Sequence, residues 1–223
     1  MKFQDLSSFL EELEARDELI RVSEPLSARH EAAAAIKMMA KKQGKALLMD
    51  NIKGYSIPVI GNLLGTTRRL AIALGVDEND LPAAYLERRN KPIKPMMVTE
   101  APVQEVVIDG EIDILLTMPV LTHYLKDAAP YFTCAFVVAR DPVTGVHGLG
   151  IHRIQVKGKD TLGISFASPP LSDFLAKAEQ QGKPLEIAIV SGADPIMHFT
   201  SPQYALPGVD KYEISPAGWL NSP

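Results

Sequence analysis

Cysteine occurs once in the 223 residues, at Cys134, so no disulfide within the chain is available to staple the fold. Its neighbours Phe132, Ala135, Phe136 and Val137 are apolar and predict a buried structural thiol rather than a nucleophile. Charge of one sign is also scarce: 23 Lys and Arg face 27 Asp and Glu, a net of −4, which excludes the basic face that sequence-independent nucleic-acid binding needs. No run approaches the ~20 uninterrupted apolar residues of a membrane span. The opening Met1-Lys-Phe-Gln-Asp-Leu6 lacks the apolar core of a signal peptide, so a cytoplasmic address is expected. Internal repeats and low-complexity tails are absent. What remains is ordinary soluble composition, with enough apolar residues for one large domain or two modest ones.

Turn and cap chemistry divides the chain. Leu6, Phe9, Leu10 and Leu13 follow helical spacing, with Asp5 where an N-cap belongs. Leu19–Val22 reads as a strand, and Ala28–Lys42 as a helix stopped by Gly44. Ala46–Asp50 and Pro58–Gly61 read as short buried strands. Thr66 or Thr67 caps a helix ending at Leu74 before Gly75, and Asp80 with Pro82 opens another that ends near Arg89. This alternation predicts an α/β unit over residues 1–100. The segment Asn90-Lys-Pro-Ile-Lys-Pro95 is the best linker candidate. Beyond it the texture changes to short strands at Val103–Ile108, Tyr131–Ala139, Gly150–Val156 and Thr161–Phe166. A helix at Leu171–Gln181 and a strand at Leu185–Val190 follow. Residues 101–223 therefore read as a β-barrel or sandwich with a crossover helix, and the whole as an α+β chain.

The most informative stretch is Gly145-Val-His-Gly-Leu-Gly-Ile-His-Arg-Ile-Gln-Val-Lys-Gly-Lys-Asp-Thr-Leu-Gly163. Glycines at 145, 148 and 150 leave backbone bare where a flat or phosphorylated group can lie. A strand follows, with Arg153 on the face of Ile151 and Gln155 if it is regular. An Arg just past a glycine-rich entry suits a carboxylate or phosphate; the alternative is an ordinary hairpin with a surface Arg. The stretch is neither a P-loop, since no Gly-Lys-Ser/Thr follows, nor Rossmann-like, since a strand rather than a helix comes next. His147 and His152 lack the spacing and companions of a zinc site. No nucleophile-elbow sequence appears. Asp173, Lys177 and Glu179 read as the solvated face of the late helix.

Several segments, in the same order along the chain, resemble the UbiD family of reversible (de)carboxylases. They are Asp5-Leu-Ser-Ser-Phe-Leu-Glu-Glu-Leu-Glu14, Ala46-Leu-Leu-Met-Asp-Asn-Ile-Lys-Gly-Tyr55, the run from Asp141 through Asp160, and Pro207-Gly-Val-Asp-Lys-Tyr-Glu213. The resemblance implies an N-terminal α/β domain and a split, flavin-reductase-like β-barrel, here ending near the close of the barrel segment. It implies prenylated FMN made by a flavin prenyltransferase, a small carboxylic acid substrate, aromatic or α,β-unsaturated, and a homo-oligomer for the full-length form. Residues that carry over are Ile151 and Arg153 beside the flavin, Ser201 near its ring or tail, and Gly150 and His152 at backbone-contact positions. Arg153 is expected on a barrel strand, pointing into a cleft and pairing with the substrate carboxylate.

Two departures from the family pattern stand out. Family members are about twice as long, and Ser215-Pro216 interrupts the usual Glu-x-Ala-Gly-x-Leu. The family's divalent ion, which bridges the flavin phosphate, is held by Asn, His and Glu. Those positions fall here on Gly148, Pro169 and Lys211, with Glu213 two residues later the alternative for the Glu position. The expectation is a flavin held without the metal, its phosphate facing Lys211 with help from His152. The rival expectations are a non-catalytic flavin- or partner-binding module and a pure interaction subunit.

Overall fold

The computed structural model describes residues 5–206 and 208–214. Helix α1, Leu6–Ala15, begins at Asp5, whose carboxylate accepts from the Ser8 backbone N–H while Ser8 answers with its hydroxyl. Strand β1 (Leu19–Val22) and helix α2 (Glu31–Lys41) follow. α2 starts three residues later than the expected Ala28, because His30 takes a left-handed φ of 74° and breaks the helical path. β2 (Ala46–Met49) pairs parallel with β1 and antiparallel with β3 (Val59–Gly61), giving sheet order β1-β2-β3. Thr66 caps α3 (Thr67–Leu74) and Gly75 ends it in the left-handed region, as the residue types predict. α4 spans Leu81–Arg89.

α3 delivers Arg69 into the interior, 1% exposed. Its guanidinium pairs with Glu18 at 3.0 Å and donates to the carbonyls of Gly44, Asn62 and Leu63. The chain then runs without regular strand through residues 103–108, where a strand was expected. Only a turn of 3₁₀ helix at Pro102–Gln104 forms, and Val103, Val106 and Val107 stay exposed. The apolar alternation there has no sheet neighbour to pair with among the described residues. A short helix α5, Ile114–Thr117, is capped by Asp113.

Two antiparallel sheets follow, each of three strands. The expected single strand Tyr131–Ala139 is divided: β4 (Tyr131–Phe132) enters one sheet and β5 (Phe136–Arg140) the other. The expected strand Gly150–Val156 is divided as well, into β6 (His147–Ile151) and β7 (Ile154–Val156). With β8 (Leu162–Ile164) and β9 (Ile187–Val190), the orders are β4-β7-β8 and β6-β5-β9. Both crossings between sheets occur where a barrel was expected to continue one strand. The described residues form a mixed α/β fold with no closed barrel.

β5 lies under α6 (Leu171–Gln180) and beside α7 (Met197–Thr200), and is buried on both faces. Ala135, Val137 and Ala139 face Ile154, Leu171 and Phe174; Phe136 and Val138 pack with Leu149 and the partly buried Met197 and Tyr212. A strand covered on both sides reads as an unbroken apolar run, which explains Ala135-Phe-Val-Val-Ala139. Lys177 on α6 bonds Asp141, a carboxylate 4% exposed, so it is not merely on a solvated face. Cys134 sits in the gap between β4 and β5 and is exposed, contrary to the buried thiol expected from its neighbours.

Candidate functional site

β6 is an edge strand, and its open edge is closed by side chains. Pairing with β5 matches Arg140 to His147, Val138 to Leu149 and Phe136 to Ile151. Alternate residues of an antiparallel edge strand aim their backbone groups away from the sheet. Here His147 N–H donates to Asp210 Oδ2 at 2.9 Å, and the His147 carbonyl accepts from Lys211 N–H at 3.0 Å. The Leu149 carbonyl accepts from Lys211 Nζ at 3.0 Å, and Ile151 N–H donates to Ser201 Oγ at 2.8 Å. Ser201, Asp210 and Lys211 thus act in place of a neighbouring strand.

Asp210 anchors this arrangement. Its carboxylate also accepts from His147 Nδ1 at 2.7 Å and from Tyr212 N–H at 2.8 Å. Arg140 Nε donates to His147 Nε2 at 3.0 Å, which leaves Nδ1 to carry the proton toward Asp210. Burial pushes the Asp210 carboxyl up, but the bonds from His147 and Tyr212 outweigh it and hold the group below its ordinary value.

Between the end of β6, the start of α6 and α7 lies a cavity of about 280 Å³. Gly150, Ile151 and His152 form one wall, Pro169 another, and Ser201 and Lys211 the floor. Six of the sequence-predicted site residues therefore meet around one space. Lys211 is 4% exposed. Its ammonium donates to the carbonyls of Leu149 and Ser201, at 3.0 and 2.9 Å, and has no carboxylate in ion-pair reach among the described residues. Desolvation lowers its pKa below the usual lysine value. His152 packs directly over Gly150, where a Cβ would lie 2.9 Å from its Nε2. That close approach needs glycine. Burial, and then the Lys211 charge, lower the His152 pKa, opposed by a bond to Ser165.

The two other predicted residues lie apart from the cavity lining. Arg153 falls in the break between β6 and β7, exposed, with its guanidinium 4.9 Å from the centre of the Tyr131 ring. The expectation of a strand position is corrected: the chain changes sheets at His152–Arg153, and Arg153 is exposed and outside this cavity's lining. Gly148 is buried, but Phe174 Cε2 and Pro170 Cγ would stand 2.6 and 2.8 Å from a Cβ there, so the space above it is filled. Pro169 offers no ligand atom and Lys211 carries a cation; Glu213 is not among the residues lining the cavity. No group of three His, Cys, Asp or Glu residues suited to a metal occurs among the described residues. The residues present do not fit a divalent ion. The Ser215-Pro216 departure lies outside the described residues.

Sequence reasoning missed His198, which lines the same cavity from α7. Its Nδ1 is buried with no hydrogen-bond partner among the described residues, and its Nε2 stands 3.2 Å from Cys134 Sγ. Burial lowers its pKa. Cys134 and His198 are 64 positions apart, and no local pattern marks a pair created by the folding of α7 onto the β4–β5 break. A larger hollow of about 640 Å³ lies on the β9 side, walled in part by Arg140, Lys183, Glu186 and Tyr212, and no predicted site residue lines it.

A family model described as the 3-octaprenyl-4-hydroxybenzoate carboxy-lyase N-terminal domain matches residues 10–89, and one described as its Rift-related domain matches residues 96–221. The chain belongs to the UbiD family. Among solved structures, the UbiD-class enzyme HmfF from Pelotomaculum thermopropionicum, an evolved dimeric form in complex with prFMN, is 36% identical with a TM-score of 0.91, over 96% of this chain and 50% of that one. The vanillic acid decarboxylase of Sedimentibacter hydroxybenzoicus in closed form is 32% identical with a TM-score of 0.89, over 99% of this chain and 49% of that one. An uncharacterised protein of Aquifex aeolicus is 34% identical over 95% of this chain and 48% of its own length. The chain spans about half the length of the curated relatives it matches. No helix among its described residues is long and apolar enough to cross a membrane.

Proposed function

We propose that this UbiD chain binds prenylated FMN in the cavity at the end of β6 and contributes to decarboxylation of an aromatic or α,β-unsaturated carboxylic acid. The observation that carries the reading is the convergence of Gly150, Ile151, His152, Ser201 and Lys211 on one cavity, in a fold that overlays an HmfF structure holding prFMN. The flavin fits the chemistry of this lining, which offers a buried ammonium for a phosphate. At about 280 Å³ the cavity is near the small end of ligand sites, ~300–1,000 Å³, so part of the cofactor extends beyond these walls.

When bound, the cofactor supplies an electron sink for the pair left by departing CO2. The chain's own part is binding and orientation. Arg153 makes no ion pair among the described residues, and its guanidinium, steadied by Tyr131, is free to take a carboxylate with two parallel bonds. Gly148 and Pro169 serve as backbone and packing elements of the site. The family placement supports two units, residues 1–100 and 101–223, a cofactor delivered by a flavin prenyltransferase, and a homo-oligomeric assembly.

One observation favours a binding role over turnover by this chain alone. Among the described residues no carboxylate lines the cavity, and its two histidines have pKa values lowered by burial, so neither is a ready acid at neutral pH. Coexpression with a flavin prenyltransferase, followed by an absorbance spectrum, tests binding. Assays of CO2 release from aromatic acids, with Arg153→Ala alongside, test chemistry. Retained cofactor with slow or no turnover is expected, and any turnover should fall at least tenfold in Arg153→Ala. A protein that emerges without flavin at any ratio of coexpression defeats the reading.

A further inference from the structure

We infer that Lys211 supplies, in place of a divalent cation, the countercharge for the flavin phosphate. The inference rests on the flavin reading above and goes beyond it. The positions that would hold a metal through side chains are closed to one: Phe174 and Pro170 fill the space above Gly148, and Pro169 has no side-chain ligand atom. At the third position stands a cation that would repel another. Lys211 is 4% exposed and lines the cavity.

The geometry holds the ammonium in place before any ligand arrives. Its bonds to the Leu149 and Ser201 carbonyls fix Nζ at the cavity floor, and the Lys211 backbone is tied to the His147 carbonyl. Those two bonds use two of three N–H donors, leaving one for an incoming oxygen. A buried ammonium with only neutral acceptors is poorly compensated, and a phosphate oxygen would complete its shell with a charge-assisted bond. A lysine serving only to close the edge of β6 would do so equally well with or without phosphate, and that difference can be measured.

The test uses the 223-residue chain and three probes: FMN, riboflavin and inorganic phosphate. Binding is followed by flavin fluorescence and calorimetry, with EDTA or with added Mn²⁺, in the native chain, Lys211→Met and Lys211→Arg, each checked for folding by circular dichroism. FMN affinity should be unchanged by EDTA, and should fall on the order of tenfold to a hundredfold in Lys211→Met. Riboflavin affinity should be the same in both, and Lys211→Arg should recover part of the FMN loss. FMN binding that collapses in EDTA and returns with Mn²⁺ overturns the inference while leaving the flavin reading intact. So does equal loss of riboflavin and FMN in a folded Lys211→Met. Inorganic phosphate binding that needs Lys211, without flavin binding, sustains the anion site and defeats the flavin reading. Failure of all three probes to bind the native chain defeats both.

Discussion

Replacing Asp210 with alanine should loosen the loop that closes β6. The carboxylate accepts three bonds, from His147 N–H, His147 Nδ1 and Tyr212 N–H, at 2.7–2.9 Å. Bonds to a charged group contribute about 1.5–3 kcal/mol each, but three on one carboxylate are not additive. The side chains of His147 and Asp210 are 24% and 17% exposed, so water can replace part of what is lost. Together these give an expected loss of about 2–4 kcal/mol, of which Asp210→Asn, keeping an acceptor but no charge, should show roughly half. For a chain of this length that corresponds to a melting temperature lower by on the order of 5–15 °C. Urea titration should show a lower midpoint at unchanged slope. The folded carboxyl titrates below its unfolded value of about 3.9, so its contribution is present above that pH and is lost as pH falls through the folded value. The gap between native chain and Asp210→Asn should therefore be flat from about pH 5 upward and close below about pH 4. A loss under about 0.5 kcal/mol in Asp210→Ala, or a gap that widens in acid, would refute the reasoning.

Two further substitutions probe the interior. Gly148→Asn should lower stability by about 1–3 kcal/mol through overpacking against Phe174 and Pro170, with no gain in Mn²⁺ affinity; a fully stable variant that binds Mn²⁺ tightly contradicts the packing described. Arg69→Met removes a donor from each of the Gly44, Asn62 and Leu63 carbonyls and takes one partner from Glu18. A loss of about 3–5 kcal/mol is expected in denaturant titration, and less than about 1 kcal/mol would show that water satisfies those groups.

The sequence carried the first ninety residues clearly, because their signals are local. Asp5, Thr66 and Gly75 are caps whose chemistry acts within one turn, and β1 fell where its residues predicted. Between residues 100 and 156 the signals misled for a common reason. Val103–Ile108, Tyr131–Ala139 and Gly150–Val156 all have strand composition, yet composition says nothing about which sheet a residue joins, and two of the three runs change sheet midway. Arg153 was read as a strand residue and stands in one of those breaks. Gly150 was marked by the glycine-rich entry, whereas Ile151 and His152, with Ser201 and Lys211, came from family likeness rather than from any periodicity. His198 and Asp210 were invisible to both readings, since their roles arise from partners more than sixty residues away.

The closing of β6 by side chains also sets how this protein can meet its neighbours. An edge strand with free backbone groups is a template for another chain, and proteins guard such edges against unwanted pairing. In the β6-β5-β9 sheet the β6 side is occupied by Asp210, Lys211 and Ser201, so a strand arriving there would first have to displace three anchored side chains. The β9 side, Ile187–Val190, has no such guard among the described residues, and Ile187 is 39% exposed. Growth of this sheet by strand addition is therefore one-sided, away from the cavity, and the cavity end is insulated from self-association through β6.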